Sequence, residues 1–181
     1  MVNYPKIISQ KSFLKDWVLE VMETKLLFPN GMEKIHHNVY RRPTVSVFPL
    51  TPAYELYLVS QYRYLHKKVS LEAMSGFIEE SEEPLVAAKR ELVEETGLTA
   101  LEWGKLPVLE IAGSVLRSQL HLFFAKNLTH GKTDFDDDED ITLIKLPLSE
   151  GVNKVLKGEI NHAASAIGIL MLDTLKKKGK I

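Results

Sequence analysis

Apolar positions fall into short strand-type runs through the first sixty residues and then change period. "WVLEVMETKLLF" (17–28) is rich in apolar and β-branched side chains and leads into "PNG" (29–31), where Asn-Gly is the strongest short hairpin signal. "EKIHHNVY" (33–40) reads as the return strand, and "TVSVFPL" (44–50) and "YELYLVSQYRY" (54–64), parted by "TPA", continue what reads as a mostly antiparallel sheet. From Glu83 to Thr96 the period is helical, with Leu85, Ala88 and Leu92 forming one buried stripe. Ser81 is the expected N-cap, Pro84 sits in the first turn where a missing N–H costs nothing, and Gly97 is placed as a C-cap. Strand patterns resume at "LPVLEIAG" (106–113), "SQLHLFFAKNL" (118–128) and "ITLIKLPL" (141–148). "SEGVNKVLKG" (149–158) and "NHAASAIGILMLDTLKK" (161–177) then read as a short and a long amphipathic helix, capped by Ser149 and Asn161. Strands, a helix, strands and two helices predict an α/β protein of α+β type, with a mixed sheet flanked by helices.

Composition narrows the chemistry. The 181 residues suit one domain of ordinary size, or one with a small appendage, and the 45% apolar and 26% charged content is that of a folded globular chain. With 23 basic and 24 acidic side chains the net charge is -1, so no global field draws nucleic acid or an anionic membrane, and an anionic substrate has to be handled locally. There is no basic stripe with interleaved aromatics, which speaks against a nucleic-acid partner. The absence of cysteine excludes disulfides, a thiolate nucleophile and cysteine-ligated zinc. A reducing cytoplasm is the expected location: no apolar run approaches the roughly 20 residues that span a bilayer, and "MVNYPKIISQKSFLKDW" lacks a secretory apolar core.

One stretch concentrates acid: "GFIEESEEPLVAAKRELVEETGL" (76–98). Glu91, Glu94 and Glu95 stand at i, i+3 and i+4, so they share one helix face about a quarter turn from the apolar stripe. Like charges at this spacing cost an isolated helix about 0.2–0.5 kcal/mol per pair, which invites a compensating cation. Hard carboxylate oxygens suit Mg²⁺ or Mn²⁺, ions that bind through a few carboxylates together with substrate phosphates. The plain alternative is an exposed acidic face with Lys89 and Arg90 as local ion partners. The spacing favours the first reading, because Gly76-x5-Glu82-x7-Arg90-Glu91-Leu92-x-Glu94-Glu95-x-Gly97-Leu98 fills every defined position of the Nudix box.

The sequence thus resembles the Nudix hydrolases, which cleave a nucleoside diphosphate linked to another moiety. The resemblance implies an α/β/α sandwich around a mixed sheet. It also implies that Glu91 and Glu95, with the carbonyl of Ser75, ligate metal and that Glu94 assists, while Glu82 and Arg90 hold the loop and helix. Glu79, Glu80 and Glu83 match no defined position and are assigned to solvent. Beyond the box, "PNG", "VSQYRY" (59–64), "LEAMSGFIE" (71–79), "HLFFA" (121–125), "DEDI" (138–141) and "KGEINHAASAIGIL" (157–170) resemble, in that order, the ADP-ribose pyrophosphatase branch. That likeness implies a nucleoside diphosphate sugar as substrate and Arg63 as a ligand of its diphosphate, an ion pair to Glu72 or Glu55 being the alternative. Glu72 and Phe77 match positions lining the site, Phe77 being equally suited to the core. In the acidic run 136–140, Glu139 is the first choice and Asp137 the second for a late carboxylate that binds metal or orients the attacking water.

Where that branch commonly carries "SPG" and a glutamate four residues later, this chain has Gly113 at the proline and Ser118 at the glutamate. The departure widens the expected substrates to other nucleotide sugars, GDP-mannose among them, with Arg117 beside the gap. The same resemblance implies a division into an N-terminal β segment, 1–40, that forms a homodimer, and a hydrolase domain, 41–181. Trp17 or Phe28 would close on the base of the other subunit. Competing readings are a hydrolase of nucleoside triphosphates or dinucleoside polyphosphates, and a non-catalytic nucleotide-sugar sensor; the complete set of box glutamates argues against the sensor.

Overall fold

The computed structural model describes residues 4–131 and 141–181. In chain order its elements are β1 Lys6–Lys15, β2 Leu19–Leu27, β3 Glu33–Arg41, β4 Thr44–Pro49, β5 Glu55–Arg63, β6 Lys68–Glu72, β7 Met74–Phe77, α1 Pro84–Thr96 and β8 Leu98–Lys105. Then follow β9 Leu109–Glu110, β10 Leu116–Arg117, β11 Gln119–His130, β12 Ile141–Pro147, α2 Leu148–Leu156 and α3 Ala163–Lys177. The described residues up to Pro43, with Leu109–Gln119, make one compact unit; those in Thr44–Val108 and Leu120–Ile181 make the other.

The first unit is a sheet of order β1-β2-β3-β10. Asp16 turns β1 into β2 by accepting the N–H groups of Val18 (2.7 Å) and Leu19 (2.8 Å) on Oδ1. The Asn-Gly signal is a hairpin turn as expected: Phe28 N–H donates to Met32 O at 2.8 Å, and Gly31 takes a φ of 80° that its missing Cβ makes cheap. Strand β10 joins β3 in parallel, Leu116 opposite Val39. All of β1 is exposed, including Ile7, Ile8, Phe13 and Leu14.

The second unit contains two sheets, β7-β4-β11-β8 and β12-β5-β6. The first is mixed, since β4 runs parallel to β11 and antiparallel to β7. Every residue of β4 is buried, because both of its faces are covered. Val45 and Val47 join Met74, Ala87, Ala88, Leu92, Leu98 and Phe123 in the core under α1. Phe48, on the alternate face, meets Gly168 of α3. The mixed sheet is therefore flanked by helices on two faces, the layering expected of the sequence. Among the described residues, no helix is long and apolar enough to cross a membrane.

The helix boundaries correct several expectations. Ser81 is not the N-cap of α1: it adopts a φ of 66° in a turn closed by Glu82 N–H to Glu79 O (3.2 Å), and Glu83 takes the cap position before Pro84. Gly97 closes the helix as expected, its N–H reaching Val93 O at 2.7 Å with a φ of 66°. Leu85 does not belong to the buried stripe, being 36% exposed in the first turn, and fully buried Ala87 replaces it beside Ala88 and Leu92. Burying Leu92 stabilises the seat of α1 by about 2 kcal/mol. Ser149 and Asn161 are not caps either: β12 runs directly into α2 through Pro147, and His162 is the residue that precedes α3. Of "LPVLEIAG", only Leu109–Glu110 is strand; β1 lies within the expected N-terminal β segment, while β6, β7, β8 and β10 form where no strand was read.

A Cβ on Gly168 would lie 2.0 Å from Cζ of buried Phe48. Gly168→Ala should therefore cost about 1–3 kcal/mol by overpacking, measured by urea denaturation. Phe48→Leu in the same chain should recover part of that loss, and simple additivity of the two costs would contradict the contact.

Candidate active site

The acidic helix face is built against β7. Glu91 and Glu95, one turn apart on α1, are only 9% and 8% exposed. Glu95 Oε1 accepts the Ser75 N–H at 3.2 Å. The Ser75 hydroxyl donates to Ala73 O at 2.9 Å and lies 2.7 Å from Ser46 Oγ, so the residue is fixed on two sides. Glu91 lies against Gly76, where a Cβ would fall 1.8 Å from its Oε1. The glycine that opens the motif is thus the space its carboxylate occupies. Glu94 stands further out, its side chain 44% exposed.

Arg90 holds this arrangement together. Its Nε and Nη2 donate to the two oxygens of Glu82, each at 3.1 Å, and Nη2 also reaches Phe77 O at 3.0 Å. Nη1 donates to Glu91 Oε1 at 2.7 Å and Glu94 Oε2 at 3.0 Å. Glu82 in turn accepts the Glu79 N–H at 2.9 Å, which ties the loop before α1 to the helix. The holding part expected of Glu82 and Arg90 is the geometry seen. The hydrogen bond to Glu82, more than the nearby charges of Glu91, pushes the guanidinium above its ordinary value against the opposing effect of burial. The same bond holds the Glu82 carboxyl below the usual carboxylate range.

Arg63 and Glu72 are brought together on β5 and β6, Nε to Oε1 at 3.1 Å and Nη2 to Oε2 at 2.7 Å. Of the alternatives weighed for Arg63, the ion pair with Glu72 is therefore formed, while Glu55 pairs with Lys145 at 3.2 Å. Phe77 contributes its carbonyl to Arg90 and keeps a half-buried side chain. Asp137 and Glu139 lie outside the described residues. In the first unit, Ser118 is buried and donates to Arg42 O at 3.0 Å, and Arg117 stacks its guanidinium over Tyr40 at 5.8 Å. Trp17 is 63% exposed, with its carbonyl bound to Arg42 Nε.

The sequence reading missed His162 and Ser165. His162 Nδ1 lies 2.9 Å from Ser165 Oγ and 3.5 Å from Glu72 Oε2. The available signal was a serine inside the apolar pattern of the last helix, a polar group that has to find a partner once buried.

Among the described residues, no group of three or more carboxylates or imidazoles is gathered closely enough to hold a metal ion. The donor set nevertheless fits a hard divalent cation: two nearly buried carboxylates one turn apart on α1, both seated against β7, one of them in a cradle that any side chain at position 76 would fill.

Because the folded Glu82 carboxyl titrates below its ordinary 4.5, its stabilising contribution is complete above that pH and fades as pH falls through the folded value. Glu82→Gln should lower stability at neutral pH by about 1–3 kcal/mol and flatten the fall of the thermal midpoint below pH 4.5. Parallel midpoint curves for the two proteins would refute this account.

Comparison with known proteins places this geometry in context. Over 169 residues the chain is 27% identical to an ADP-ribose pyrophosphatase of Bacillus subtilis (strain 168), covering 92% of this chain and 91% of that protein. Over 178 residues it is 28% identical to the methanol dehydrogenase activator of Bacillus methanolicus, covering 96% of each. A crystal structure of an ADP compounds hydrolase superimposes with a TM-score of 0.85 at 23% identity, over 100% of this chain and 99% of that one, and so shares its fold. The model of the NUDIX domain matches residues 40–163, a span that contains β7, α1 and every carboxylate they place; the chain belongs to the Nudix family.

Proposed function

We propose that the protein hydrolyses the diphosphate bond of nucleoside diphosphate sugars, ADP-ribose and related nucleotide sugars, giving a nucleoside monophosphate and a sugar phosphate. The observation that carries this is the seating of Glu91 and Glu95 against β7 within a complete Nudix motif. The likeness to the Bacillus subtilis enzyme over nearly the whole of both chains supports the substrate class. Glu91, Glu95 and Ser75, together with Glu139, would hold Mg²⁺, with Mn²⁺ as the alternative. Once bound, the cation would supply positive charge and Lewis acidity to the site.

The chain's own groups do the rest. Arg63 offers a planar, forked donor to the diphosphate, and Glu72 fixes the plane of that fork through two hydrogen bonds. Phe77 lines the site. Glu139, or Asp137 as second choice, orients the water and takes its proton as its oxygen attacks phosphorus. The bridging oxygen leaves with the other phosphate, so that water is added across the anhydride. Glu94, the most exposed of the three helix carboxylates, assists from the rim. Reactions of this type depend on positioning and electrostatics, which is why no nucleophilic side chain is needed. The lack of cysteine supports a cytoplasmic setting.

We further propose that the N-terminal β segment pairs two copies of the chain. The exposed row of Ile7, Ile8, Phe13 and Leu14 on β1 is more apolar than a strand facing only water requires. Size-exclusion chromatography with light scattering should give the mass of two chains, and a monomer at micromolar concentration would remove the proposal.

Glu91→Gln and Glu95→Gln should each lower metal-dependent turnover at least about 100-fold while leaving the circular dichroism spectrum unchanged. Turnover is best measured on a panel of ADP-ribose, GDP-mannose, dinucleoside polyphosphates and nucleoside triphosphates, with Mg²⁺ present or chelated. Near-normal rates in both variants would defeat the assignment. A preference for triphosphates over every nucleotide sugar would defeat the substrate class alone.

A further inference from the structure

Away from the helix carboxylates, a second group of side chains ties three elements together. Glu72 ends β6 and is only 3% exposed. From β5, Arg63 donates to both of its oxygens, at 3.1 Å and 2.7 Å. From the start of α3, His162 brings Nδ1 to 3.5 Å from the same Oε2 that takes the shorter Arg63 bond. His162 is also 2.9 Å from Ser165 Oγ, and fully buried Ser165 accepts the Ala73 N–H at 2.8 Å. The end of β6 is therefore fastened to the first turn of α3 at two successive residues, Glu72 by its side chain and Ala73 by its backbone.

Burial alone would raise the Glu72 carboxyl, but the Arg63 hydrogen bonds, followed by the His162 charge, outweigh it and hold the group below the usual carboxylate range. It is thus an ionised group in a nearly dry place, which is stable only when its hydrogen bonds are well made. Arg63, itself 39% exposed, carries a long side chain that water can compete for. A bidentate carboxylate sets the plane of a guanidinium as well as its position, but only if the carboxylate has one orientation of its own. Ser70 hydrogen-bonds this carboxylate from within β6, and His162 meets Oε2 from the α3 side at ion-pair distance. Ordinary helix capping does not account for it, since the His162 side chain makes no cap bond to the backbone of α3.

We propose that His162 is a positioning residue for Arg63: by restraining Oε2 of Glu72 from the α3 side, it fixes the plane in which the Arg63 guanidinium is presented. That this plane meets the substrate's diphosphate rests on the function proposed above; the restraint itself does not.

Two measurements on the full chain test the two parts separately. The Arg63 Nε–H resonance, identified by its loss in Arg63→Lys, reports the guanidinium without any substrate. Its exchange with water should be slow in the native protein and about tenfold faster in His162→Ala, the size expected for loosening one charged hydrogen bond. His162→Asn, whose amide reaches the position of Nδ1, should restore most of the protection and guards against a variant that simply folds poorly. Unchanged exchange in His162→Ala, or faster exchange in both variants alike, overturns the proposal. In kinetics with Mg²⁺ and ADP-ribose, His162→Ala should raise KM about three- to tenfold with little change in kcat, and should add nothing in an Arg63→Ala background. KM effects that multiply in that background also overturn it. Altered exchange together with an Arg63→Ala variant whose KM is normal for every nucleotide sugar leaves the positioning in place and removes the diphosphate reading.

Discussion

Arg90 meets three carboxylates and a main-chain carbonyl with one guanidinium, and the order of the acidic helix follows from that contact. Glu82, Glu91 and Glu94 would repel one another if left to themselves, and Glu91 is nearly buried as well. A planar cation with five fixed donors can satisfy all of them at once, which the single ammonium of a lysine cannot. The bond to Phe77 O matters for a different reason. It anchors the guanidinium to the end of β7, so the cation that neutralises the helix also fixes where the helix lies on the strand.

Backbone geometry then sorts the glutamates. Gly76 leaves room for Glu91, the Ser75 amide orients Glu95, and Glu94 stays toward solvent. Three acids that are equivalent on a helical wheel become two nearly buried ligand candidates and one rim group. The difference lies in β7, not in the helix. Strand β4, buried along its whole length, is the neighbour of β7 in the same sheet and holds it in register through the Val45 to Gly76 and Ser46 to Ser75 pairs, so the site is anchored to a fully buried strand.

Much of this was legible because its causes are local. The period of Ala88 and Leu92, the Pro84 start, the Gly97 stop and the spacing of Gly76, Glu82 and Arg90 each act within a few turns of chain. What the sequence hid depends on contacts made at a distance. Strands β6 and β7 are short and separated by one residue, so their alternation never develops. Strand β8 carries Glu102 and Gly104 where an apolar repeat would have announced it. Ser81 has the right chemistry for a cap, but Pro84 starts the helix three residues later. His162 was overlooked because its significance comes from Glu72, ninety residues earlier in the chain. Asparagine and serine next to apolar runs look alike whether they cap a helix or not: Asn161 precedes the cap position of α3, and Ser149 already lies in the first turn of α2.

The parallel pairing of β4 with β11 also sets an order of events for the growing chain. Thr44 pairs with Phe77 on one side but finds its parallel partner only at Leu120, and β3 gains β10 only at Leu116. Neither unit is a continuous stretch, so a ribosome that has delivered the whole acidic motif has still not delivered the strand that closes the sheet beneath it. Until β11 arrives, α1 can form its turns but has only part of its floor to rest on. Parallel contacts across such a span form slowly, because the chain between them must be ordered first. The carboxylates are made early and assembled late, and Arg90, the neighbour of Glu91 in sequence, is a folded-state partner that is made along with them.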